Sequence, residues 1–298
     1  MLLSIAGVFI DRKSPVAVAI RAGYLPLLLL SQVWMLAYPL WIAWRRRPDV
    51  VRLPSTRAIR REALRALLIF PVAFGVMPAM VWLVTRLSGS TTMPAGPWDA
   101  ASTTFSQLEW IAFLVIGITV APMAEELFYR GMFYNTLRKW FHPILAATIQ
   151  AVVFGFAHRS GLAVSLAIGT CALVLVLLYE WRRTLLTPIL VHASVNTVGL
   201  SLLALAVAAE ANAPRMGLTG DASPSGCVAT RVLPGSPAET AGLRTGDVIT
   251  AVDGTAVRDI ASVAGLVRRH QVGESVVLDY VRDGTARRVE VMLQRLKQ

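Results

Sequence analysis

The sequence predicts a polytopic α-helical membrane domain of about six spans followed by a small α+β domain, and three observations carry that prediction. The chain of 298 residues is 55% hydrophobic with a mean hydropathy of +0.58, ordinary for a polytopic membrane protein and high for a soluble one. The apolar weight lies before about residue 210, whereas the remainder alternates β-type runs with charges and turn glycines. Within the apolar part, Glu125, Glu126 and Arg130, then His158, then His192 and Asn196 interrupt otherwise hydrophobic stretches. A charged side chain at bilayer depth costs roughly 2.5–3.5 kcal/mol on insertion scales, so such intrusions are rare and usually functional.

The spans are placed in order at 24–44, 64–87, 108–130, 142–158, 162–181 and 185–209. Most approach the ~20 residues that a bilayer crossing needs, and the fourth is short. Pro71 and Pro78 are expected to kink the second span, which membrane helices tolerate. The segment 1–13 lacks a basic start and a small-residue cleavage pattern, so it reads as a short interfacial piece and not a cleaved signal peptide. Cys171 and Cys227 are the two cysteines, which gives no disulfide framework.

Charge sets the expected orientation. Eight arginines lie between Arg45 and Arg65 against Asp49 and Glu62, a net of +6 within the chain's +11. Because the block sits between two apolar spans, it reads as a cytoplasmic loop touching anionic lipid and not as a nucleic-acid surface. The next connection holds Asp99 and no lysine or arginine, whereas Arg138, Lys139, Arg182 and Arg183 fall on the inner side again. That alternation puts the end of the sixth span outside the cytoplasm, although Arg12, Lys13 and Arg21 argue mildly against the outside N-terminus it implies.

Helical spacing sorts the intramembrane polar residues. Residues four apart share a face and neighbours differ by about 100°, so Glu126 and Arg130 can pair across one turn. Glu125 points elsewhere and keeps a free carboxylate. His192 and Asn196 are again four apart and can face one cavity. A carboxylate near an imidazole in a dry pocket can hold and deprotonate a water, and an imidazole with an amide can stabilise an oxyanion. Each feature alone also fits a packing device or a satisfied core histidine. His142, beside Pro143, and His270, in the C-terminal domain, are read as non-catalytic.

In combination, the EExxxR pattern at Glu125–Arg130, FxxxH ending at His158 and HxxxN from His192 to Asn196, in that order on successive spans, resembles the CAAX prenyl protease and bacteriocin-processing family of intramembrane proteases. The resemblance covers about 60–210. It implies a helical intramembrane endopeptidase in which Glu125 and His158 activate water, His192 and Asn196 hold the oxyanion, and Glu126 and Arg130 support the site. The family is commonly labelled a metalloprotease family. Zinc is possible, and the candidate ligands are Glu125, His158 and His192, but HExxH is absent and a metal-free glutamate–histidine mechanism is the reading adopted.

The C-terminal stretch looks like a PDZ domain of the bacterial protease type. Gly226, Gly235, Gly242, Gly246 and Gly254 punctuate it, with a short helix expected between Ser236 and Gly242, a second at 260–270, and strands at 275–281 and 286–293. Arg215, Met216, Gly217 and Leu218 fit the carboxylate-binding loop of that family, where a peptide adds a strand to the sheet edge. The expected organisation is therefore an intramembrane protease domain over 1–210 and a PDZ domain over 215–298. The resemblance and topology imply a bacterial cell-membrane protein whose extracytoplasmic PDZ domain selects or gates protein or peptide substrates. The alternative is a non-catalytic membrane scaffold whose activity is PDZ peptide binding. Nothing in the residues identifies a prenyl pocket.

Overall fold

The computed structural model describes residues 24–46, 55–88, 106–158 and 160–295. The expected interfacial piece at 1–13, the middle of the arginine-rich loop, the connection bearing Asp99, and Arg159 lie outside the described residues. The chain divides into two compact units, Met1–Leu203 and Ala204–Gln298.

The first unit is helical. Helix α1 spans Tyr24–Arg46, α2 Thr56–Ser88, α3 Gln107–Leu137, α4 Pro143–Ala157, α5 Leu162–Arg182 and α6 Leu186–Ala211. Four helices, α2, α3, α5 and α6, are long and apolar enough to cross a membrane, while α1 and α4 contribute shorter apolar stretches. The protein is thus an integral membrane protein. Helix α2 runs on through Pro71 and Pro78. Helix α3 starts at Gln107, one residue before the expected span, where Ser106 and Glu109 form a reciprocal capping box that satisfies two of the otherwise orphaned first N–H groups.

At 15 residues, α4 rises about 22 Å, short of the ~30 Å hydrocarbon core. It therefore cannot bring both ends to the membrane surfaces. His142 caps its start and His158 its end. Helix α4 packs on α5 backbone to backbone: a Cβ on Gly155 would stand 2.2 Å from the Ser165 carbonyl oxygen and 2.9 Å from the Gly169 nitrogen. Small residues at such crossings replace the hydrophobic drive that lipid removes. Helix α5 is the centre of the unit, with 56% of its apolar window buried against 6% for α2.

Where α2, α5 and α6 meet, Glu62 is buried and accepts hydrogen bonds from Arg182 at 3.0 and 3.3 Å and from the Thr187 hydroxyl at 2.6 Å. Arg65, one turn on, pairs with the same carboxylate. This cluster ties three helices one and a half turns before His192 on α6.

In the second unit, strands β1 (Leu218–Ser223), β2 (Gly226–Val232), β3 (Val248–Val252), β5 (Ser275–Arg282) and β6 (Thr285–Met292) form an antiparallel sheet in the order β1-β2-β3-β5-β6, and β4 (Thr255–Ala256) pairs with β3. The β3–β4 and β5–β6 turns are Asp253-Gly254 and Asp283-Gly284, with all four residues at positive φ. Two such residues in a row match the twist of a tight hairpin, and Asp-Gly supplies them at little steric cost. Helices α7 (Pro237–Thr240), capped by Ser236, and α8 (Ile260–Val267), capped by Asp259, cover a core that includes Ile249, Val252, Val263, Leu278 and Val291. Period-two burial along β5 is the alternation that marks one face as core. This is the small α+β domain the sequence predicts.

Candidate active site

The polar residues of the first unit meet on α3, α4, α5 and α6. Helix α3 changes winding twice: Ile116–Val120 and Leu127–Tyr134 are π-helical, and the α-helical turn Ala121–Glu126 lies between them. Such stretches bond each N–H to the carbonyl five residues back and are frequent at functional sites. The two glutamates sit at the junction.

Glu126 and Arg130 pair at 2.8 Å with both side chains fully buried. The same Oε1 also receives His192 Nδ1 at 2.9 Å. Arg130 donates a second bond to the Ala172 carbonyl on α5 at 3.0 Å, and its guanidinium lies 4.9 Å from the Phe154 ring centre. Two charge-assisted bonds on one oxygen offset part of the cost of burying a carboxylate. Glu126 Oε2 and Arg130 Nε have no hydrogen-bond partner among the described residues.

Glu125 lies on the other side of His192, with its Oε2 3.8 Å from Nε2, and its side chain keeps 14% exposure. The imidazole is thus held between two carboxylates. Since Glu126 Oε1 accepts from both Arg130 and His192, Nδ1 is the donor and Nε2 faces Glu125. A gap of 3.8 Å between polar atoms is the kind that one water bridges.

His158 Nδ1 lies 2.8 Å from the Phe154 carbonyl. A carbonyl only accepts, so Nδ1 carries the proton and Nε2 is left free. No hydrogen bond or ion pair joins His158 directly to Glu125 among the described residues. Phe154 links the two histidines through its ring, 4.8 Å from the His158 centroid and 5.9 Å from that of His192. Asn196 Nδ2 donates to the Gly117 carbonyl at 2.8 Å.

Among the described residues no three His, Cys, Asp or Glu side chains are gathered closely enough to hold a metal ion. Glu125, His158 and His192 therefore do not fit zinc as a ligand set in this arrangement.

Three of these partners are not indicated by spacing along the chain. Glu126 was expected to brace Arg130 alone, and it also orients His192. Phe154, read only as the start of a motif, is the aromatic wall. Gly117 carried no signal beyond lying five residues before Pro122. His142 caps α4 through an acceptor contact to the Ile144 N–H at 3.4 Å, and His270, in the second unit, pairs with Asp253 at 2.9 Å.

In the second unit, Arg215, Met216, Gly217 and Leu218 line a groove of about 290 Å³ together with Ile260, Val263 and Val267 of α8. Gly217 has φ of +80°, a conformation that favours glycine. Strand β1 borders the groove as an edge strand, bonded among the described strands to β2 alone, so its other side can accept a further strand. Glu210 pairs with Arg215 at 3.0 Å and with Arg268 at 3.1 Å along this groove.

The fold and site define a polytopic helical membrane unit with a buried glutamate–histidine–arginine centre, joined to a peptide-binding type of β-domain. Residues 107–198 match the family model of the type II CAAX prenyl endopeptidases, Rce1-like, and residues 228–282 match that of the PDZ domain. The putative serine protease HhoA of Synechocystis sp. is 47% identical over 57 residues, 19% of this chain and 14% of its own length. The periplasmic serine endoprotease DegP of Escherichia coli is 36% identical over 73 residues, 24% of this chain and 15% of its own. The chain thus spans about a seventh of these curated relatives. Among solved structures, an HtrA3 PDZ domain bound to a phage-derived ligand shares 20% identity with a TM-score of 0.25, covering 27% of this chain and 85% of its own.

Proposed function

We propose that this chain is an intramembrane endopeptidase that cleaves membrane-associated proteins or peptides, with its PDZ domain selecting or gating them. The observation that carries this reading is His192 suspended between Glu126, fully buried and paired with Arg130, and Glu125, partly exposed and with no lysine or arginine partner among the described residues. A bridging water beside Glu125 and the free Nε2 of His158 loses a proton to Glu125 as its oxygen attacks the scissile carbonyl. The new C–O bond pushes charge onto the carbonyl oxygen, where the second N–H of Asn196 and His192 Nε2 would receive it. Donation from Nε2 requires an imidazolium: His192 would take one proton from bulk water before the step and keep it throughout, and Glu126 is placed to hold that charge. The tetrahedral species then collapses, the C–N bond breaks, and Glu125 returns the proton to the leaving amine. Glu126 and Arg130 set the orientation of His192 without touching substrate.

The match of 107–198 to an endopeptidase family supports this over the scaffold reading, and a scaffold has no need of a partly exposed carboxylate inside an apolar helix. The PDZ groove fits an extended peptide that adds a strand to β1 and ends at Met216-Gly217-Leu218. The arginine distribution supports an extracytoplasmic position for that domain on a bacterial cell membrane. Comparing protein termini in membrane fractions of cells carrying wild-type protein or Glu125→Gln tests the reading. A set of new termini that vanishes in the variant supports it, and identical sets overturn it.

A further inference from the structure

The geometry points to Pro122 as a positioning residue: by lacking an N–H, it leaves the Gly117 carbonyl free to orient the Asn196 amide. In the first π-helical stretch the Ala121 N–H bonds the Ile116 carbonyl, five residues back. The next bond of that register runs from residue 122 to Gly117. Proline has no N–H to give, so the π stretch ends there and the Gly117 oxygen loses its intrahelical donor. In an apolar surrounding an unpaired carbonyl is costly, and Asn196 Nδ2 of α6 takes it at 2.8 Å.

The approach that makes this bond possible is also built in. Gly117 has no side chain, and a Cβ there would stand 2.6 Å from Leu200 Cδ1, one turn beyond Asn196 on the same face of α6. Because a carbonyl only accepts, the amide is fixed with its NH₂ group toward α3. One N–H is spent on Gly117, and its geometry aims the second. An amide free to rotate would present oxygen as often as nitrogen to a developing oxyanion, and oxygen there repels it. Pro122 thus acts on the chemistry through Asn196 without touching substrate. This role in catalysis rests on the proteolytic reading, whereas the hydrogen bond itself does not.

Two measurements separate those claims. The chain has three asparagines, Asn135, Asn196 and Asn212, so protein labelled with ¹⁵N only at asparagine gives three side-chain NH₂ signals, assigned by substituting each in turn. Pro122→Ala restores an N–H that competes for Gly117. The Asn196 signal should lose its hydrogen-bonded downfield shift and exchange faster with solvent, while those of Asn135 and Asn212 stay in place. Pro122→Gly restores the same N–H and gives the same readout should the alanine variant fold poorly. An unmoved Asn196 signal in folded variants overturns the inference, whether or not the protein cleaves anything.

With a substrate in hand, Pro122→Ala should lower kcat with KM little changed, by no more than Asn196→Ala, for which loss of one oxyanion donor implies about 10²–10³-fold. In the Asn196→Ala background it should cost nothing further, since both changes remove one interaction. A moved signal with unchanged kcat, or additive losses, overturns the catalytic half. Absence of any cleavage by wild type defeats the proteolytic reading and leaves the spectroscopic test standing.

Discussion

His192 Nδ1 lies 2.9 Å from Glu126 Oε1, the oxygen that also accepts from Arg130. One buried carboxylate therefore neutralises a guanidinium and fixes an imidazole, and adjacent glutamates acquire separate tasks from their surroundings. Glu126 is sealed in the bundle, whereas Glu125 reaches toward the far nitrogen of the same ring and keeps some solvent access.

Removing the guanidinium should test this division. Arg130→Ala leaves Glu126 buried without its cation, a class of change that costs roughly 3–5 kcal/mol. Glu125→Gln, at a partly exposed position, should cost far less. Thermal unfolding in detergent reads the difference, and equal melting temperatures would show that the two glutamates do not differ in role.

The helices were legible because long apolar runs announce themselves, four of them long enough to cross a bilayer and two shorter, and the Asp-Gly turns of the β-domain did so by the backbone angles they permit. Partnerships across long stretches of sequence were not. Glu62 counted only as one acid in an arginine-rich block, yet it accepts from Arg182 and Thr187, 120 and 125 residues away. Spacing says which residues share a helical face but not which helix that face meets. The π-helical turns were hidden for a related reason. A helix pattern assumes one winding, and only Pro122, four residues before Glu126, marked a place where it changes.

Acid should weaken the β-domain through Asp247. Burial pushes this carboxyl up, but hydrogen bonds from Arg282 and the Arg244 N–H, with the charges of both arginines, outweigh it and hold the carboxyl below its usual range. A depressed folded value lends stability above the unfolded value, and that stability is lost as pH falls through the folded one. Protection of the β3 and β5 amides from hydrogen exchange should therefore fade below about pH 4. Asp247→Asn should lose about 1–3 kcal/mol at neutral pH and flatten that part of the pH dependence. An unchanged acid slope in the variant would assign the effect to other carboxylates.

Metal removal should leave the chemistry intact, because a carboxylate and an imidazole can activate water unaided. Purified protein should retain activity after prolonged chelation. Activity that is lost and then restored by zinc, together with stoichiometric zinc that disappears in His158→Ala, would contradict this.

The β-domain should be extracytoplasmic. Alkaline phosphatase fused after Gln298 should be active in cells and green fluorescent protein at the same place dark; the reverse puts the domain in the cytoplasm. Deleting 215–298 should change which substrates are cut while leaving the Glu125 chemistry in place. An unchanged substrate set would deny the domain a selecting role.

The most direct measurement uses purified protein reconstituted in liposomes with a cleaved membrane substrate in water labelled with heavy oxygen. Wild type should place that oxygen in the new C-terminus. Glu125→Gln, with an unaltered melting temperature, should cut roughly 10²–10⁴-fold more slowly, the range for loss of a positioned general base. Cleavage by Glu125→Gln at the wild-type rate would contradict the assignment of Glu125 as the base.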